Sequence, residues 1–139
     1  MSAQLPIRDY AIEQMNQLLT KLAFEMHRAA KTVGADEVHD LRVSIRRFSQ
    51  GLILFGDFFP EWQVEKVRKR LKRMMNLTSE IRNRDIALEH IASMQHSDLR
   101  GHLERERKVL EREFADMARR WSARDFSAKW RVGLSLQRA

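Results

Sequence analysis

Apolar residues recur every three to four positions along almost the whole chain. That is the period of a helix with one buried face, and it commits the chain to an all-α fold. After Pro6, which is harmless in a first helical turn, Ile12, Met15, Leu18, Leu19, Leu22 and Met26 form one stripe. Gly34 can close that helix in the left-handed conformation, so the first helix is expected over 6–33. Asp36 is a candidate cap for a second helix, whose stripe is Val38, Leu41, Ile45, Phe48, Leu52 and Phe55, with Gly56 and Pro60 at its end. Pro60 opens a third helix through Val64, Val67, Leu71, Met74, Thr78 and Ile81. A break or kink is expected over Ser79–Asn83, followed by a fourth helix from about Asp85 carrying Ile86, Leu88, Ile91 and Met94. Ser97 can cap a further helix through Leu99, Leu103, Leu110, Phe114, Met117 and Trp121, and Phe126, Trp130 and Leu134 form a short last one. Short connections favour antiparallel neighbours. The expectation is an up-down bundle of four to five helices in a single domain over 1–139.

The 139 residues include 43% hydrophobic side chains, enough for a real core, and only five glycines and two prolines, few for a chain that must turn often. The lack of cysteine excludes a disulfide framework, a thiolate zinc site and a cysteine nucleophile. No run approaches the roughly 18 consecutive apolar residues of a membrane span. The first twenty residues carry Arg8, Asp9 and Glu13 and lack the order of a secretory signal, so a cytoplasmic protein is expected. The net charge of +7 predicts attraction to polyanions without naming one. Its distribution is more telling. Residues 66–84 hold eight basic side chains against Glu80 alone, whereas 98–131 mix both signs at spacings such as Glu104–Lys108 and Asp116–Arg120.

The second helix carries the most informative run, Val38-His39-Asp40-Leu41-Arg42-Val43-Ser44-Ile45-Arg46-Arg47. At about 100° per residue and with His39 as zero, Arg42 falls near 300° and Arg46 near 340°, while the apolar stripe centres near 215°. His39, Arg42 and Arg46 therefore form a ladder on one flank; Arg47, near 80°, points elsewhere. Guanidinium forks fit phosphate oxygens, and imidazole adds a donor and, when protonated, a charge. The same residues also admit a purely structural reading, with Arg42 paired to an acid on a neighbouring helix and His39 capping or packing.

This run resembles the signature of the CHAD family, the conserved histidine α-helical domain. The likeness continues through Leu52, Leu54, Phe55 and Phe58 to Pro60. A second family run, Gly-x-x-Arg-Asp-x-Asp, is similar to Ser79-Glu80-Ile81-Arg82-Asn83-Arg84-Asp85, with Ser79 in place of Gly and Asn83 in place of Asp. The resemblance implies a helical module that binds inorganic polyphosphate and associates with polyphosphate granules; a non-enzymatic binding module with no catalytic residue and no cofactor is expected. It carries His39, Arg42 and Arg46, and with them Arg82, onto the anion-binding surface. Family members usually contain two four-helix bundles with a basic groove between them. This chain offers one such repeat, so a homodimer is expected to supply the second wall, in keeping with the twofold symmetry common among homo-oligomers.

Lys69, Lys72 and Arg73 on the third helix are further candidate phosphate contacts, away from its apolar stripe. Glu104, Glu106 and Lys108 spell the Glu-x-Glu-x-Lys pattern of triphosphate tunnel enzymes, but on a helix the two glutamates diverge by about 200°. The histidine spacings, such as His90 to His96 and His96 to His102, are not those of a helical metal site, so no metal is expected. The 66–84 cluster lacks aromatic residues for base stacking. Nucleic-acid backbone binding therefore stands as the alternative partner class, beside a scaffold role in which the basic face docks an acidic protein.

Overall fold

A computed structural model of the chain describes residues 5–92 and 97–137. These residues form α1 (Leu5–Lys31), α2 (Ala35–Phe55), a 3₁₀ turn (Gly56–Phe58), α3 (Glu61–Ile91), α4 (Ser97–Ala123) and α5 (Phe126–Gly133), with no strand among them. Each of α1 and α3 packs against both α2 and α4, which is the neighbour pattern of an antiparallel four-helix bundle. The short α5 closes one end between α1 and α4.

The apolar stripes converge as their spacing demands. Met15, Leu19, Leu22 and Met26 of α1, Leu41, Ile45, Phe48 and Leu52 of α2, and Leu71, Met74 and Ile81 of α3 are buried together. The α4 helix adds Phe114 and Ala118. From α5, Trp130 stacks on Phe48 with ring centroids 6.0 Å apart and meets Trp121 and Phe126 edge-on. Asn16 donates to the Leu136 carbonyl at 2.9 Å, tying the chain end to α1. Gly51 leaves room for Met15 of α1 against α2: a Cβ there would lie 2.6 Å from Met15 Sδ.

Three local expectations are corrected. The break over Ser79–Asn83 and the separate fourth helix from Asp85 are absent, because α3 runs unbroken through Ile91. The hydroxyls at this point are consumed inside the helix: Thr78 Oγ1 donates to the Met74 carbonyl at 2.9 Å and Ser79 Oγ to Met75 at 2.8 Å. That arrangement tolerates helix continuation where neither Gly nor Pro intervenes. Gly34 is extended (φ −90°), not left-handed, and stands at the N-cap of α2. Asp36 accordingly lies within the first turn, where it faces the positive end of the helix dipole. Met94, His96 and the Ser97 side chain fall outside the described residues.

Candidate functional site

Arg42 leaves α2 at its boundary with α3. Its Nη1 lies 2.7 Å from Ser79 Oγ, 3.1 Å from the Met75 carbonyl and 3.2 Å from Thr78 Oγ1. All three acceptors are neutral and belong to α3. No carboxylate touches this guanidinium among the described residues, so the acid pairing open to Arg42 from sequence is not what the structure shows. Nε and Nη2 have no protein partner there and are not sealed from solvent, which leaves one edge of the fork for an outside acceptor. Burial, together with the positive charges of Arg46 and Arg82, pushes the Arg42 pKa below the usual arginine range. The structure thus brings Arg42 and Arg46 of α2 together with Arg82 of α3. His39 stands exposed one turn before Arg42.

The acids interspersed with these bases are drawn away from them. Asp40 crosses to α1 and pairs with Arg28 at 2.9 Å. The hydrogen bond from Arg28 holds its carboxyl below the ordinary range. Arg28 also pairs with the buried Glu25 at 3.0 Å, and Glu25 with Lys21 at 3.0 Å. Glu80 takes Arg84, which reaches Glu106 of α4 at 3.0 Å. Asp85 takes Arg107 of α4, and Arg107 Nη2 donates to the Val33 carbonyl at 2.7 Å. Asp40, Glu106 and Asp85 thereby fasten helix pairs, Glu25 and Glu80 pair within their own helices, and none of these acids is left to offset Arg42.

The remaining sequence candidates divide around α3. Lys72 is seven residues before Ser79 and so lies within about 20° of it on the helix. It extends the row toward Arg46, and Arg68, four residues earlier, continues the row. From Arg68 to Arg82 this edge rises about 21 Å. Sequence reasoning placed Arg68 in the basic cluster without assigning it a role; its spacing to Lys72 was the available signal. Lys69 is exposed about 80° from Ser79, on the outward side of α3. Arg73 lies beside Met117 and Arg120 of α4 and is separated from Arg42 by the body of α3.

On α4, Glu104 is exposed, Glu106 is bound by Arg84 and His102, and Lys108 borders a different cleft, so the Glu-x-Glu-x-Lys residues do not converge. Asp116 pairs with Arg119, not with Arg120. No described helix is long and apolar enough to cross a membrane.

The CHAD-domain model matches residues 10–138, nearly the whole chain. The chain belongs to the CHAD family. No curated protein and no solved structure matches it. CHAD domains are associated with polyphosphate binding, and the helical architecture of this CHAD domain accords with the family assignment.

Proposed function

We propose that this CHAD domain captures inorganic polyphosphate, without catalysing its conversion, along the seam of α2 and α3. The observation that carries the reading is the state of Arg42. Neutral oxygens of α3 hold its guanidinium, no carboxylate among the described residues pairs with it, and it lies in the field of Arg46 and Arg82. Concentrated cations without internal counter-charge repel one another, and a polyanion lying along them relieves that repulsion. Arg42 anchors the contact, Arg46 and Arg82 widen it, and His39 and Lys72 extend it along the rods. Lys69 supplies charge from the outward side. The main favourable terms are charge-assisted hydrogen bonds and release of counterions, so affinity falls steeply with salt.

The seam is an open surface, and the larger clefts of the bundle are lined by other residues. A second bundle facing the first would turn this one-sided track into a groove, and a second copy of the chain is the proposed source. Light scattering with and without polyphosphate tests that part: a mass that stays monomeric under tight binding removes the shared groove but not the track.

The deciding experiment is a titration with polyphosphate of defined length at two salt concentrations, beside a single-stranded oligonucleotide at equal phosphate. Polyphosphate is expected to bind more tightly and to displace the oligonucleotide. Equal or tighter oligonucleotide binding would replace this reading with nucleic-acid backbone recognition.

A further inference from the structure

A second concentration of positive charge lies on the far flank of α3. Arg73 and Arg82 are nine residues apart, so they point about 180° from each other around the helix. On the Arg73 side, Lys66, Arg70 and Arg73 face Arg120 of α4, Arg124 of the α4–α5 turn and Lys129 of α5 across a cleft of about 710 Å³. That volume lies within the usual range for ligand clefts. No carboxylate lines it, and none of the six cations makes an ion pair or side-chain hydrogen bond among the described residues.

The contrast with a neighbouring cleft is instructive. Between the α1–α2 connection and α4, the basic residues Lys31, Lys108, Arg112 and Arg119 stand among Glu111 and Asp116, so the protein offsets part of that charge itself. In the α3–α4–α5 cleft no acid stands among the six bases; Glu113 and Asp116 line an adjoining hollow that Arg73 and Arg120 also border. Asp116, the acid that could have neutralised Arg120, is turned to Arg119.

The cations are also ordered. Lys66, Arg70 and Arg73 follow an i, i+4, i+7 stripe about 10 Å long, opposed by Arg120 and Arg124 one turn apart. Between the rows the floor is aromatic: Trp121 is half-buried, and Phe126 and Trp130 are 5% and 6% exposed. An apolar floor displaces water and strengthens charge attraction above it. Two opposed rows rich in guanidinium forks match an anion with several phosphates in sequence.

We infer that the α3–α4–α5 cleft is a second binding site, for a short chain of anhydride-linked phosphates, separate from the α2–α3 track. It shares the ligand chemistry of the reading above but none of the track's residues, so either site can fail without the other. The chain could be free oligophosphate, the end of a longer polymer or the tail of a nucleoside triphosphate, and the experiment separates these sources.

Trp121 and Trp130 report on the cleft, while Trp62 lies outside it and is replaced (W62F) to remove its signal. At constant ionic strength, inorganic tripolyphosphate is expected to change tryptophan fluorescence saturably. The R70Q/R120Q/R124Q variant should lose at least tenfold in affinity, and R46Q/R82Q less than twofold. R124Q alone, at an exposed position, should lose about threefold and serves if circular dichroism shows the triple variant unfolded. Saturable quenching by ATP that is lost in the same variants identifies a nucleotide tail; quenching by tripolyphosphate and longer chains only identifies the free polymer. The inference is overturned if the cleft variants titrate like the parent. It is equally overturned if R46Q/R82Q abolishes the signal, or if polyglutamate at equal charge reproduces it.

Discussion

The Ser79 hydroxyl accepts a hydrogen bond from Arg42 at 2.7 Å while donating its own proton to the Met75 carbonyl at 2.8 Å. A side chain at the start of the stretch where a break was expected is thus the peg that holds a cation of α2 onto α3. The link costs the protein no negative charge, which is why the guanidinium keeps its full attraction for an external anion.

Ser79→Ala removes that acceptor from a partly buried bond. A stability loss of about 0.5–1.5 kcal/mol is expected, with polyphosphate affinity falling several-fold because the fork is no longer held in place. Thermal melts and calorimetric titration measure the two effects. Arg42→Lys should weaken binding further, since an ammonium anchored on α3 has no second edge to offer.

Arg46→Gln and Arg82→Gln remove exposed charges that repel Arg42. Unfolding midpoints should stay level or rise slightly. The logarithmic dependence of affinity on salt should become shallower with each substitution. An unchanged slope in the double variant would place the polymer elsewhere.

Asp85 belongs to the second family-like run, yet its partner is Arg107 on α4, with both side chains largely buried. Asp85→Ala should destabilise the bundle by about 1–3 kcal/mol, the usual range for losing a charged hydrogen-bond partner. Polyphosphate affinity should change by less than twofold when measured well below the melting temperature.

Acid should loosen the α1–α2 and α3–α4 contacts together. Hydrogen bonds from Arg28 and Arg84 lower the Asp40 and Glu106 pKa values in the folded chain. Carboxyls of this kind contribute stability that is fully present above their unfolded values, near pH 4, and is lost as pH falls through the folded ones. The melting temperature should therefore hold from neutrality to about pH 5 and decline below pH 4. Asp40→Asn should lower the neutral plateau and flatten the decline.

Phe48 is fully buried and stacked on Trp130. Phe48→Ala should cost about 3–5 kcal/mol, read from urea unfolding. The loss of contact with α5 should also alter the tryptophan emission of the folded state.

Much of the fold was legible in the order of residues. The stripes in α1 and α2 named the core, because a side chain every three or four positions has one way to leave water together with its neighbours. The angular arithmetic of α2 put His39, Arg42 and Arg46 on a common flank before any partner was known. Local signals failed where two local chemistries competed. At Ser79 a hydroxyl can end a helix or bond back to its own carbonyls, and at Gly34 a glycine can close one helix or begin the next.

Which cations act together was a tertiary decision. Lys72 and Arg73 are adjacent in sequence and equally basic, yet one belongs to the α2 side and the other to the α4 cleft, because each flank of α3 is covered by a different helix. Asp116 could reach Arg119 or Arg120, and the choice of Arg119 left Arg120 to the cleft. Sequence alone determined that the chain is a basic helical bundle with its apolar faces inward, since periodicity and burial are properties of each helix by itself. Only the packing of the helices decided where acids cancel bases and where they do not, since that depends on which side chains distant segments bring within a few ångströms of one another.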